Sequence, residues 1–317
     1  METKLKIPTI ANFGVISSDK LQAALTIHQP QVVQHLAFLP IESQRVDEKL
    51  LETIGLIEEF TLEQDIIVKE HETSQSYSTA VYENRTNKNV IIPASTHLKG
   101  GMQNRANNQT EILGLNDKQS YNVNCFEPSR GSGDNHFHEF EDTPADVARE
   151  TMTHTDGYEG SWHIIEDYTN LVHAGRGALT TFNENTEEDR AKYALNFETV
   201  PGQTGAAIIT KGLSMIEVFP TSNTFNIYRE RLLRGKVASL FYKIHKAEPS
   251  QIILPSEAES KVNEMLGIVK KTIDQTLEKG TKKHGLIIGR GRSDGKAIDV
   301  VLTDTEQPQI AYIFGAW

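Results

Sequence analysis

The chain lacks the features that mark secreted and membrane proteins. It has one cysteine in 317 residues, which excludes an intrachain disulfide framework and makes a reducing compartment the simpler expectation. Its first residues, METKLKIPTIANFGVI, do not contain the apolar core of a secretory signal. No run of about 18 apolar residues occurs, so no segment is predicted to span a membrane. We therefore expect a soluble, cytoplasmic protein.

Positive charge is also scarce. The chain has 32 Lys and Arg residues against 43 Asp and Glu residues, which gives a formal net charge of -11. Because contacts with a phosphate backbone need a basic surface, this balance excludes a general nucleic-acid binder. A nucleotide held in a local basic pocket stays compatible with it. The hydrophobic share of 38% is typical of a globular protein.

The order of the predicted elements indicates an α+β fold. Apolar β-rich runs predict strands at 31–40, 65–69, 79–82, 90–92, 121–125, 196–200, 205–210 and 214–220. Helical spacing of apolar residues predicts helices at 47–59, 142–152, 160–173, 221–245 and 257–279, the last with Ser256 and Glu259 as a capping box. The acidic segment 183–190 is interpreted as a solvated loop or a helix start, and the residues after 284 as a β meander.

The absence of a linker predicts one large domain over 1–317. In this interpretation a mainly antiparallel β core carries flanking helices, and the C-terminal helix and meander at 250–317 pack on it. Segments 80–95 and 206–222 share the order strand, polar turn, apolar strand, Pro, small residue, Ser. This similarity is compatible with two fused β-rich lobes. The alternative is that the two segments are unrelated hairpins, since hairpins commonly resemble one another.

The segment 91–130 concentrates polar groups around a glycine turn between two apolar strands. Glycines allow close approach of a ligand to the backbone, and Gln, Asn and Arg side chains suit a planar or anionic group. The alternative is a structural polar network that braces the following strand. The candidate substrate-binding residues are Gly100, Gly101, Gln103, Asn104, Arg105 and Arg130.

Two residues of this segment are candidates for catalysis. Glu127 follows a strand, where a general base would lie; its alternative role is a salt bridge to Arg105 or Arg130. Cys125 would be a nucleophile if His97 or His154 lowered its pKa. A lone cysteine in a strand is otherwise a small buried hydrophobic residue.

Other motifs point to no metal and identify no cofactor. His136 and His138 would face the same side of a strand and could form a metal site with Glu141 or His154, but they lie in a polar loop. We therefore predict no metal site. GRGRSDG at 289–295 is interpreted as a hairpin loop rather than a phosphate site, and neither a Walker nor a Rossmann motif occurs.

Several motifs together resemble a known family. LKGGMQNR (98–105), NVNCFEPSR (122–130), Trp162, GQTGAAII (202–209) and IEVF (216–219) occur in the order found in the ARG-and-rhodanese-phosphatase-superfamily-associated domain, a bacterial domain of unknown function. The resemblance covers about residues 60–245. Two positions depart from the family pattern: Ser95-Thr96 stands where Gly-Glu is common, and Gly131 stands where Trp is common.

The resemblance implies genomic association with nucleotide-derivative or phosphate chemistry. The first functional hypothesis is therefore a cytoplasmic hydrolase for a small nucleotide-derived or phosphorylated substrate. In this hypothesis the arginines neutralise the anion, and Glu127 activates water. The alternatives are a non-catalytic ligand-sensing or scaffold module in a defence or conflict system, and a structural subunit of a homo-oligomer. Whether the protein is an enzyme stays open at this point.

Overall fold

A computed structural model of the chain describes residues 14–16, 25–43, 52–70, 78–128, 130–153, 161–175, 177–247, 252–293 and 295–317. The strands are β1 Gly14–Ile16, β2 Leu25–Ile27, β3 Gln31–Val33, β4 Leu36–Ser43, β5 Ile54–Leu56, β6 Ile66–Glu70, β7 Thr79–Asn84, β8 Asn89–Ile92, β9 His97–Gly100, β10 Arg105–Asn107, β11 Glu111–Leu113, β12 Lys118–Cys125, β13 Phe137–Glu141, β14 Gly205–Ile209, β15 Ser214–Val218, β16 Thr281–Lys283, β17 Leu286–Ser293, β18 Lys296–Thr303 and β19 Ile310–Ala316. The α-helices are α1 Ala145–Thr153, α2 Trp162–Asn170, α3 Leu179–Ala194, α4 Ser222–Glu230, α5 Ser239–Ala247 and α6 Pro255–Lys279. A 3₁₀ turn covers Ile57–Glu59, and a π-helical segment, Arg231–Ala238, joins α4 to α5. The predicted α+β class is confirmed.

A ten-stranded antiparallel sheet forms the larger part of the core. Its order is β1-β2-β4-β14-β15-β19-β18-β17-β16, with β3 paired to β4. Side chains alternate between its two faces: Ile208 packs with Phe225 of α4 on one face, and Ile209 packs with Val262 and Ile273 of α6 on the other. Both faces of the sheet are therefore buried. For this reason its strands consist of nearly continuous runs of apolar residues.

Two smaller sheets lie in the middle of the chain and position the predicted site. One has the order β13-β9-β10-β12-β7-β6, and a bridge between Lys69 and His136 joins its two edge strands, so that it nearly closes on itself. The other has the order β11-β8-β5. The loop 93–96 carries the chain from β8 in the smaller sheet to β9 in the larger one.

The predicted helix at 47–59 is wrong over its last six residues. Ile54–Leu56 forms β5, which pairs in parallel with β8, and a 3₁₀ turn follows. All three residues of β5 are buried, so the pairing partner decides their conformation rather than the helical spacing of the apolar residues. Residues 47–51 lie outside the described part of the chain.

Two strand predictions need correction. The segment predicted as one strand at 31–40 is a hairpin, because Gln34 adopts a φ of 44° between β3 and β4, and β4 continues through Pro40 to Ser43. Residues 196–200 form no strand. Instead, Gln31 Nε2 donates to the carbonyl of Glu198 at 2.6 Å, and the backbone N–H of Glu198 donates to Gln31 Oε1 at 2.7 Å.

The helical predictions differ from the structure mainly in detail. The acidic segment 183–190 lies inside α3, where it buries Asn183, Thr186 and Arg190. Helix α6 begins at Pro255, and Glu257 Oε2 accepts the backbone N–H of Leu254 at 2.9 Å. The helix predicted at 221–245 is not continuous, because the π-helical segment around Gly235 lies between α4 and α5.

The first five residues of the GRGRSDG motif are strand rather than loop. Gly289 to Ser293 belong to β17, and α6 packs so closely that a Cβ at Gly289 would lie 1.9 Å from the hydroxyl of Thr276. The glycine therefore serves helix–sheet packing. None of the helices in the described part of the chain has the length and apolar character needed to cross a bilayer.

Candidate functional site

The glycine turn that follows β9 has a backbone conformation that suits only glycine. Gly100 and Gly101 have φ values of 123° and 60°. A Cβ at Gly100 would lie 2.7 Å from the carbonyl oxygen of His136, and one at Gly101 would lie 2.9 Å from Glu70 Oε1. The two glycines are thus required by the chain's own packing.

Arg130 binds this turn with its whole guanidinium group. An arginine side chain has five N–H donors, and each has a protein acceptor here. The acceptors are Glu127 Oε2 for Nε, the carbonyls of Gly101 and Ser132 for Nη1, and the carbonyl of Gly100 with Asn104 Oδ1 for Nη2, at 2.7–3.2 Å. Arg130 therefore fixes the turn and has no donor left for a ligand.

Glu127 is held by one of its two carboxylate oxygens. Oε2 accepts from Arg130 Nε at 2.9 Å and from the backbone N–H of Asn104 at 3.2 Å. No described residue donates a hydrogen bond to Oε1. This oxygen is also not one of the buried polar atoms without a hydrogen-bond partner. One oxygen thus orients the carboxylate, and no described residue donates to the other.

Glu127 and Arg130 line an open cleft of about 450 Å³. The cleft lies between β9, the loop after β12, and the start of α3. Its lining residues are Lys99, Gly100, Asn104, Glu127, Arg130, His138, Glu139, Ala178, Thr180 and Thr181. Asn104 Nδ2 donates to Thr180 Oγ1 at 3.0 Å, and that hydroxyl donates to Glu141 Oε2 at 3.1 Å. The turn and the helix are therefore joined across the base of the cleft.

The start of α3 lines this cleft with Ala178, Thr180 and Thr181. No side chain caps its N-terminus at Ala178, and its first turn contains no acidic residue. Lys99 of β9 also lines the cleft. Burial works against its charge, but the carboxylates of Glu141 and Glu139 outweigh that effect and raise the pKa of Lys99. The cleft thus combines a helix N-terminus with a firmly protonated lysine.

Cys125 and Gln103 form a buried network behind Glu127. The thiol donates to Gln103 Oε1 at 3.4 Å, and Gln103 Nε2 donates to the carbonyl of Glu127 at 3.0 Å. Burial raises the pKa of Cys125. His97 packs edge-on against Phe126, and His154 lies outside the described residues. These contacts favour the structural role of the thiol over the nucleophilic one.

Arg105 points away from the cleft. Its side chain is fully buried, with Nε 3.5 Å from Glu70 Oε1. The structure therefore brings Gly100, Asn104, Glu127 and Arg130 together at the cleft. Gly101, Gln103 and Cys125 support them from behind, and Arg105 lies in the interior of the six-stranded sheet.

The rings of the two candidate metal ligands, His136 and His138, stack with their centroids 6.4 Å apart. His138 lines the cleft, where hydrogen bonds to Asp134 and then to Glu63 raise its pKa. Its ring nitrogens lie 2.8 Å and 3.0 Å from those carboxylates. No group of three or more His, Cys, Asp or Glu side chains in the described part of the chain is placed to hold a metal ion.

Sequence reasoning missed the second wall of the cleft. Lys99, Thr180 and Thr181 lie on elements that meet only in the folded chain. The pair of threonines at the start of a helix without a cap was the one local signal for an anion-binding terminus.

The fold and the site define an α+β protein with a polar cleft between an almost closed antiparallel sheet and a helix N-terminus. The chain belongs to the family of the ARG and Rhodanese-Phosphatase-superfamily-associated Protein domain, whose model matches residues 24–293. The resemblance drawn from the motifs is confirmed, and the match extends well beyond residues 60–245. No curated protein and no solved structure gave a significant match.

Proposed function

We propose that the protein is a hydrolase that acts on a small nucleotide-derived or phosphorylated substrate in the cleft of Glu127. The observation that carries the proposal is the way in which hydrogen bonds hold the Glu127 carboxylate at the cleft. Arg130 and the N–H of Asn104 orient it through Oε2, no described residue donates to Oε1, and Glu127 lines a cleft large enough for a small molecule. A carboxylate held in this way is suited to act as a general base on a bound water.

The opposite wall supports an anionic substrate. The backbone N–H groups of Leu179 and Thr180 at the start of α3, together with the ammonium group of Lys99, can donate hydrogen bonds to a phosphate, whereas the N–H of Thr181 already donates to the carbonyl of Ala178. In the proposed step, Glu127 Oε1 takes a proton from water and the hydroxide attacks phosphorus. The P–O bond to the leaving group breaks, and the leaving oxygen takes a proton from solvent. Arg130 is a positioning residue because its donors are already used.

A second candidate is a non-catalytic ligand-sensing module. Two observations favour it: the saturated guanidinium of Arg130, and Ser95-Thr96 in place of the Gly-Glu expected from the family pattern. This candidate uses the same cleft and ligand class without turnover. A cytoplasmic location and a homo-oligomeric state remain predictions from the sequence, and light scattering tests the latter.

Turnover assays separate the two candidates. Purified protein is incubated with ADP-ribose, cyclic nucleotides and NAD derivatives, and products are separated by chromatography. We expect Glu127→Gln to lower turnover about 10²-fold or more, as for loss of a general base. The matched control is Glu188→Gln on the exposed face of α3, which leaves turnover unchanged. Turnover that survives Glu127→Gln removes this residue from the mechanism, and thermal stabilisation by a ligand without product supports the sensing module.

A further inference from the structure

The six-stranded sheet nearly closes along a seam between its two edge strands, β13 and β6. At this seam the backbone N–H of Glu70 donates to the carbonyl of Asn135 at 2.9 Å, and Lys69 forms a β-bridge with His136. The N–H of Gly101 donates to the carbonyl of His136 at 2.7 Å. The glycine turn of the cleft is therefore bonded to the strand that forms one side of the seam.

His138 lies at an irregularity of β13 beside the seam. The register of β13 with β9 shifts between Phe137 and Glu139, so His138 is the extra residue of a β-bulge. Bulges re-aim the side chains that they carry. The ring of His138 lines the cleft, and its Cδ2 atom lies 3.2 Å from the place that a Cβ at Gly100 would take. The imidazole therefore packs against the glycine turn.

Both ring nitrogens of His138 face carboxylates that come from different loops. Nε2 lies 2.8 Å from Oδ2 of Asp134, which precedes β13. Nδ1 lies 3.0 Å from Oε1 of Glu63, which precedes β6. An ionised carboxylate only accepts hydrogen bonds, so each contact needs an N–H group on the ring. The imidazolium is the form of histidine that has both.

We propose that His138 is a pH-dependent link across the seam, which in its imidazolium form holds the turn before β6 to the loop before β13 and in its neutral form releases one of them. A neutral ring has a single N–H, so its other nitrogen directs a lone pair at a carboxylate oxygen and that contact is lost. Release loosens the seam and removes a positive charge from the wall of the cleft. The link acts on the sheet and is independent of the hydrolysis proposed for Glu127.

The other charged groups near the ring have their own contacts. Lys99 of β9 and Glu139 of β13 line the same cleft, and Lys99 Nζ lies 3.4 Å from Glu139 Oε2. The ring of His136 stacks on the ring of His138. The start of α3 lines the cleft with uncharged residues. The two carboxylates at the ring nitrogens are therefore the groups that set the proton affinity of His138.

These carboxylates also fix the pH range of the link. The hydrogen bond to Asp134, and then the one to Glu63, raise the pKa of His138 above its ordinary value of 6.5, and desolvation opposes them weakly. A group with a raised pKa in the folded protein stabilises it most at low pH. The contribution of the link is thus fully present below about pH 6.5 and is lost as pH rises through the raised pKa.

Long-range ¹H–¹⁵N NMR spectra of the imidazoles measure the protonation of the ring. We expect both nitrogens of His138 to carry a proton at pH 6, and its pKa to lie above 6.5. Asp134→Asn and Glu63→Gln each remove one carboxylate, and each is expected to lower this pKa. Glu139→Gln is the matched control, because this carboxylate follows His138 on β13 and contacts Lys99 instead. It is expected to change the pKa less than either.

Hydrogen exchange at the seam tests the effect on the sheet. We expect the protection of the Glu70 and Gly101 amides, corrected for intrinsic exchange, to be about two- to fivefold lower at pH 8.5 than at pH 5.5, the range for an exposed ion pair. In His138→Gln, which cannot titrate, protection at these amides is expected to be equal at the two pH values. The amide of Ile208 in the ten-stranded sheet reports any global change of stability.

Two results would overturn the proposal. The first is a pKa of His138 that is the same in wild type, Asp134→Asn and Glu63→Gln, which would mean that the carboxylates do not hold the ring. The second is an equal pH dependence of seam protection in wild type and His138→Gln, which would assign it to another group. The side chains of Asp134 and Glu63 are 59% and 50% exposed, so neither substitution disturbs the core. Neither result bears on turnover at Glu127.

Discussion

Asp142 and Arg190 form a buried ion pair, with Arg190 Nη1 2.8 Å from Asp142 Oδ2. Their side chains are 7% and 3% exposed, and Arg234 Nε reaches the same oxygen at 3.0 Å. The pair joins α3 to the segment before α1. It thereby holds the helix whose N-terminus lines the cleft against the strand that carries Glu141.

Asp142→Asn is expected to lower the free energy of unfolding by about 3–5 kcal/mol. The amide leaves two arginines without their carboxylate, and an uncompensated buried charge is strongly destabilising. Urea denaturation measures the change. Glu188→Gln is the control in the same helix, because its carboxylate is 87% exposed and its pairing with Lys192 contributes little. Equal effects of the two substitutions would contradict the role assigned to the buried pair.

Gly101→Ala is expected to destabilise the protein by more than about 1 kcal/mol, since its φ is 60° and a Cβ would lie 2.9 Å from Glu70 Oε1 and from the ring of Phe137. Gly131→Ala provides the comparison, because nothing lies within 4 Å of a Cβ there. Thermal unfolding of both variants is the measurement. A Gly101→Ala protein as stable as Gly131→Ala would show that the turn relaxes without cost.

Local pattern was enough to predict the elements whose neighbours lie close in sequence. Helix α6 and the meander β17–β19 were predicted because a long apolar stripe and Gly-bearing turns specify them locally. Ile54–Leu56 was mispredicted because its conformation depends on β8, more than thirty residues away. Propensity cannot register a partner at that distance.

The same distinction applies to the candidate site. Glu127, Asn104 and Arg130 meet because a single hairpin, β9–β10, brings the glycine turn beside the end of β12. Which way Arg105 points depends on the register of β10, where it pairs with Cys125 and Leu98, and no local pattern determines that register. A second cavity, which lies beneath the π-helical segment, was not predicted because its lining residues come from five separate stretches of chain.

The thiol of Cys125 is expected to be unreactive in the folded protein. It is fully buried, and burial raises its pKa, so little thiolate forms near neutral pH. Cys125 is the only cysteine, so the absorbance released by Ellman's reagent reports this one thiol. Labelling should be slow in native buffer and complete within minutes in denaturant. Rapid stoichiometric labelling of the native protein would instead support the nucleophilic role.

His97 is expected to make stability depend on pH between about 6.5 and 4. Burial lowers the pKa of His97 to about 4, against the opposing hydrogen bond to the carbonyl of Asp142. In this range the unfolded chain binds a proton on His97 and the folded protein does not, so stability falls as pH falls. At about 1.4 kcal/mol per pH unit, the full loss is about 3 kcal/mol.

The titration of Glu58 changes the stability with pH in the opposite direction to His97. The contribution of His97 therefore has to be measured against a variant that lacks the imidazole. Because its folded pKa is raised, its contribution to stability is present at low pH and is lost as pH rises. His97→Asn keeps a donor for the carbonyl of Asp142 but cannot titrate. Urea denaturation of the wild type and of His97→Asn at pH 4.5, 5.5 and 6.5 isolates the contribution of the imidazole. The stability difference between the two proteins should shrink steadily toward low pH, and a constant difference would mean that His97 titrates alike in the folded and unfolded states.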